Sequence, residues 1–233
     1  MGNVFKSQGI LNFGYKQPEP EAAADAAADA TNEDQEAVGG DVPPPIISKA
    51  TVHRLAGIKE AKQVLAVLPQ PGETLHCVAT ARMDITDVMN ELLDRLGPID
   101  RCTITTLGYN AKNLHMILEW LDAGQIKELT LCTSIFHRAH KGALYAETLK
   151  EFGRRGQRVA ACHSHCKVVT MFFASGETLC IEGSANLCGN GSGREQFAMF
   201  NSREVCEYHE NWILELYAKM SPKNGTDAKA ATE

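Results

Sequence analysis

The chain has 233 residues, 22% of them charged, with a formal net charge of −6, which excludes a protein body basic enough throughout to hold nucleic acid by bulk charge alone. Its 44% hydrophobic content is enough for one large domain. No apolar run approaches the roughly 18 residues that a bilayer span needs, and no basic-then-apolar leader opens the chain, so the expected location is cytoplasmic, without a transmembrane segment.

Residues 1–48 carry eight acids against Lys6 and Lys16, which accounts for the entire net charge and leaves 21 bases and 21 acids from Lys49 onward, out of 23 and 29 in the whole chain. This stretch, rich in Ala, Asp, Glu and Pro, cannot bury enough apolar surface to offset the entropy of ordering and is predicted to be a disordered acidic tail. Its first seven residues have the glycine of a myristoylation signal, but Lys6 stands where Ser or Thr is required. Residues 49–222 are predicted to form the folded domain and 223–233 a second disordered tail. The eight cysteines sit mostly in apolar runs and read as reduced core thiols rather than a disulfide framework.

Within the domain, apolar residues at helical spacing predict a helix from Val52 to Leu68, ending before Pro69 and Pro71. A strand follows at Thr74 to Ala79, then a helix from Ile85 to Leu96 with Asp84 as N-cap and Gly97-Pro98 as stop. Arg101 to Leu107 reads as a strand and Ala111 to Ala123 as an amphipathic helix. Leu129 to Phe136 is a strand apolar enough to be central, and Lys141 to Phe152 is the next helix. Strands are then predicted at Arg158 to His163, Cys166 to Phe173, Thr178 to Glu182 and Gln196 to Phe200. A closing helix, Glu204 to Met220, carries Val205, Tyr208, Trp212, Leu216 and Met220 on one stripe. This order predicts an α/β fold, a mixed β-sheet flanked by helices on both faces.

Chemistry concentrates late in the chain. In His165-Cys166-Lys167 strand alternation puts the imidazole and the ammonium on one face and the thiol on the other. Ser184 and Asn186, in Gly183-Ser184-Ala185-Asn186, are likewise two apart and add a hydroxyl and an amide suited to anionic oxygens. Cys162, His163, His165 and Cys166 could together be read as a zinc cluster, but alternation turns the thiols away from the imidazoles, and no metal or other cofactor is expected. His137, Arg138, His140 and Lys141 follow a strand end, the usual edge for ligands in α/β sheets, and are candidates for contact with a phosphate backbone, as alternatively for plain solvated charge.

His165-x-Lys167, then Gly183-Ser184-x-Asn186, then Glu195 resembles the signature of the phospholipase D superfamily in its short, single-motif form, and the strand-helix order over Thr74 to Met220 is similar to that family's single repeat. The resemblance implies that His165 attacks phosphorus in line to give a phosphohistidine, and that Lys167, Ser184 and Asn186 hold the non-bridging oxygens. It also implies that Glu195 orients His165 and that no metal takes part. A second imidazole must protonate the leaving oxygen; a homodimer with both copies of His165 in one site would supply it, and His163 is the competitor within the chain. The sequence departs from the family pattern at Phe172, where an aspartate is usual, and in a Lys167-to-Gly183 gap four residues longer, which preserves facing in a hairpin. The expected function is hydrolysis of nucleic-acid phosphodiesters; the alternatives are a phospholipase or phosphatidyl transferase, and an inactive scaffold of the same fold.

Overall fold

The computed structural model describes residues 52–58, 61–66, 68–80, 83–188 and 194–220. In chain order the elements are β1 (Val52–Ile58), α1 (Lys62–Leu65), β2 (Thr74–Thr80), α2 (Ile85–Leu96), β3 (Ile99–Thr106), α3 (Ala111–Asp122) and β4 (Ile126–Ser134). They continue with α4 (Ile135–His140), α5 (Gly142–Arg154), β5 (Arg158–Cys162), β6 (Val168–Phe173), β7 (Thr178–Gly183), β8 (Arg194–Phe200) and α6 (Arg203–Met220). The strands form one eight-stranded mixed sheet in the order β1-β2-β8-β7-β6-β3-β4-β5. The pairs β1–β2, β3–β4 and β4–β5 are parallel, and β2–β8, β8–β7, β7–β6 and β6–β3 antiparallel.

Period-two alternation divides the interior between two faces. Val169, Met171 and Phe173 of β6, Leu129 and Leu131 of β4 and Leu179 and Ile181 of β7 enter the larger core with Val88, Met89, Leu92, Leu114, Ile117 and Phe152 from α2, α3 and α5. The intervening residues Val168, Phe172, Cys132, Cys162 and Cys180 meet Cys206 and Ile213 of α6 in a smaller core. Cys132, Cys162, Cys180 and Cys206 are therefore small packing residues on the α6 face, and Thr103 and Thr170, hydrogen-bonded at 2.6 Å, lie among the buried hydroxyls of the sheet.

Caps set the helix starts. Asp84 and Asp87 form a capping box on α2, and Asn110 and Asn113 another on α3, the Asn110 side chain accepting from the Asn113 amide at 3.0 Å. Gly97 at φ 86° and Gly124 at φ 69° end these two helices in conformations that other residues resist.

Four sequence expectations are corrected. Val52 to Leu68 is not one helix: its first half is strand β1, paired in parallel to β2 with Val52 opposite Thr74, and only Lys62–Leu65 is helical. Ladder pairing along β2 overrides the local helical spacing. Leu129 to Phe136 is not central, because β4 is next to last and β5 is the edge; it also stops at Ser134, whose hydroxyl accepts from the His137 amide at 2.9 Å and starts α4. The strand expected from Cys166 begins at Val168. On α6 the fully buried line runs through Cys206, Glu210 and Ile213; Val205, Trp212 and Leu216 of the expected stripe pack beside it, and Met220 is exposed. The two predicted tails lie outside the described residues.

Candidate active site

The candidate residues gather at one edge of the sheet, where the parallel strands β3, β4 and β5 end, β7 ends, and the antiparallel strands β6 and β8 begin. This is the edge at which open α/β sheets place ligands.

His165 lies in the five-residue link from β5 to β6, not on a strand as alternation had required. The link is shaped by local bonds. The Ser164 amide donates to the Cys162 carbonyl at 2.9 Å, and the Cys166 amide to the Ser164 hydroxyl at 3.2 Å. The Lys167 ammonium donates to the His165 carbonyl at 2.9 Å. Main-chain pairing resumes at Lys167, whose carbonyl accepts from the Gly183 amide at 3.2 Å, so the two motif halves meet directly. Cys162 is buried in the α6 core and Cys166 is exposed, so the two thiols do not share one environment.

Gly183 is required by packing: a Cβ there would overlap the carbonyl oxygen of Gln196 and the Cα of Phe197 on β8. The Ser184 amide donates to that same Gln196 carbonyl at 2.8 Å, and the Ser184 hydroxyl accepts from the Gln196 amide at 3.1 Å while donating to the Glu195 carboxylate. Glu195 is thus hydrogen-bonded to Ser184 of the motif. Asn186 is 9% exposed and its Oδ1 accepts from the Leu107 amide at 3.2 Å, which leaves its NH2 group as the donor for a further ligand. Leu107 in turn accepts from the Ser134 hydroxyl at 2.6 Å through its carbonyl, so the loop after β3 ties Asn186 to the start of α4. That link between residues far apart in sequence had no signal in the motif.

A cleft of about 510 Å³ opens between α4 and the β5–β6 link. Phe136, Ala139 and His140 line it from α4, Cys162 from the end of β5, and His163, Ser164 and His165 from the link. Three of the sequence candidates, His140, His163 and His165, are thereby brought together. Arg138 and Lys141 are exposed nearby in the chain but do not line the cleft. Lys167 instead borders a narrow interior space with Gly183 and Ala185.

His137 is corrected as a backbone-contact candidate. It is 5% exposed, its ring packs on Tyr109 with centroids 4.3 Å apart, and its Nε2 is buried without a hydrogen-bond partner. Burial, and then the Lys141 ammonium, push its pKa below the ordinary 6.5. An imidazole depressed in the folded state binds fewer protons than in the unfolded chain, so stability is lost as pH falls below about 6.5 and is flat above it. His137→Gln is expected to flatten the fall in Tm between about pH 6.5 and 5, measured by calorimetry; an unchanged slope would contradict a buried neutral ring.

Phe172, at the departure from the motif, is buried against α6 with the Arg101 guanidinium 3.8 Å from its ring centre. Arg101 donates from Nε to the buried Glu210 of α6 at 2.6 Å, a bond that raises the guanidinium's already high pKa. The carboxylate of this neighbourhood therefore comes from α6, and the β6 position is free to be aromatic.

No family model matches the chain, and no curated protein matches it. Among solved structures it is similar to a phospholipase D family member, Nuc from Salmonella typhimurium, at 10% identity and a TM-score of 0.46, over 64% of this chain and 97% of that one. It is also similar to a polyphosphate kinase from Porphyromonas gingivalis (8% identity, TM-score 0.47, 71% of this chain and 30% of that one). A third likeness is to the archaeal chromatin protein TrmBL2 (12% identity, TM-score 0.46, 68% and 58%).

Proposed function

We propose that the chain is a metal-independent phosphodiesterase of the phospholipase D type acting on nucleic acid. The observation that carries this reading is the convergence of His165, Lys167, Ser184, Asn186 and Glu195 on one sheet edge, with the Lys167 carbonyl bonded to the Gly183 amide and a cleft beside His165. His165 attacks phosphorus in line and the alkoxide leaves from the opposite side; water then cleaves the phosphohistidine. Lys167 and the Asn186 NH2 are donors for the oxygens on which charge builds, and the single Ser184 proton is held by Glu195. Glu195 acts through the Ser184 hydroxyl that it holds.

The general acid is a second imidazole. A two-fold dimer brings it from the partner's copy of the motif; His163 and His140, lining the same cleft, are the sources within one chain. Labelled single- and double-stranded DNA and RNA, incubated with the protein in EDTA, are expected to be cut, and light scattering at micromolar concentration is expected to show a dimer. Excess His165→Ala protein mixed into the wild type should then depress activity below simple dilution. Cleavage that disappears in EDTA would overturn the mechanism, and a monomer that cuts would overturn the shared site. A protein that cuts no nucleic acid and no bis(4-nitrophenyl) phosphate would be the scaffold.

A further inference from the structure

We infer that Phe136 and His140 of α4 form a stacking platform for an unpaired nucleobase beside His165, so that the substrate strand is single-stranded or locally unpaired where it is cut. The inference rests on the nuclease reading and names the part of the polymer that enters the cleft.

Three features converge on it. Phe136 is 56% exposed, more than the other large apolar side chains found at the surface among the described residues, Val78, Leu149 and Met220. An aromatic ring in water at the mouth of a site is apolar surface that a ligand can cover. The His140 ring packs on it with centroids 3.9 Å apart and planes 30° from parallel, and the Phe136 carbonyl, which can only accept, holds the His140 Nδ1–H at 2.9 Å. The pair is therefore anchored in place before any ligand arrives.

The cleft's size and charge fit a nucleotide. About 510 Å³ lies in the range of sites that bury small ligands. Among the described residues no Asp or Glu lines it; three imidazoles do, and Arg138 and Lys141 are exposed on the chain that flanks it. A phosphodiester at His165 thus meets no carboxylate in the cleft wall, and the base attached to it has a ring to rest on. In a duplex both faces of each base are covered by neighbours, so only an unpaired base can use such a surface.

The test measures binding by fluorescence anisotropy to His165→Ala protein, which does not consume its ligand. The probes are an oligothymidylate and an abasic deoxyribose-phosphate strand of the same length. The base-bearing strand is expected to bind about tenfold or more tightly than the abasic one, a ratio that falls toward one when Phe136→Ala is added and survives with Phe136→Trp. A ratio unchanged by Phe136→Ala, or near one from the start, overturns the platform while cleavage of the strand leaves the nuclease reading intact. If neither strand binds or is cut, the nuclease reading falls and the platform with it. If Phe136→Ala turns a dimer into a monomer, the exposed ring is an interface between copies and the platform is overturned.

Discussion

His165→Ala is expected to lower the rate of metal-free phosphodiester hydrolysis by at least about a thousandfold, some 4 kcal/mol of barrier, with the fold unchanged. The side chain is exposed in a link between strands, and the hydrogen bond this residue takes part in runs through its main-chain carbonyl, which alanine keeps. A substitution of that kind shifts stability by about half a kcal/mol or less, so the loss of rate can be read as chemistry and not as unfolding. The size follows from the role: without the nucleophile the covalent route closes, and the oxygen-binding donors can assist only direct attack by water. Activity within tenfold of wild type would move the nucleophile to His163 or His140, the other imidazoles of the cleft.

Among the described glycines, Gly183→Ala should be the most damaging substitution. The added Cβ meets main chain, the Gln196 carbonyl and the Phe197 Cα, so no side-chain rotation can relieve it and β7 and β8 must part. The cost is expected to be about 3 kcal/mol, a Tm fall of roughly 6–12 °C for a domain of this size. Parting these strands also breaks the Ser184 bonds to Gln196 and so disturbs the hydroxyl that Glu195 holds. Activity should therefore fall further than stability alone explains, seen as a lower kcat in protein that is still folded. Gly153→Ala, where a Cβ would meet open space, is the control and should cost under about 0.5 kcal/mol.

Much of this fold could be read from apolar runs, turn residues and caps. Strand β7 and the capped start of α2 at Asp84 lie where the sequence put them. β1 could not be read, because its strand character comes from pairing to β2 and its own apolar spacing is helical. The short helix α4 was hidden for a related reason: Ser134 caps it at the end of a strand whose apolar run continues into Ile135 and Phe136. Losing α4 hid Phe136 as a surface residue and His137 as a buried one.

At the site, the residue types and their order were legible, and the reason for pairing His165 with Lys167 was not. Alternation treated both as strand residues, whereas a turn through Ser164 sets His165 apart and only Lys167 joins the ladder. Gly183 was visible as part of a motif, but its steric reason lies across the hairpin in Gln196. Phe172 stood out as a departure, yet the Arg101–Glu210 pair that surrounds it joins β3 to α6 and leaves no local trace.

The nucleophilic role of His165 is tested most directly by trapping. Wild-type protein mixed with a short oligonucleotide in EDTA, quenched in alkali within the first turnover and digested, should yield one peptide bearing a phosphorus-linked strand fragment on His165, labile in acid. Full cleavage with no adduct on His165, or with the adduct on another residue, would contradict it.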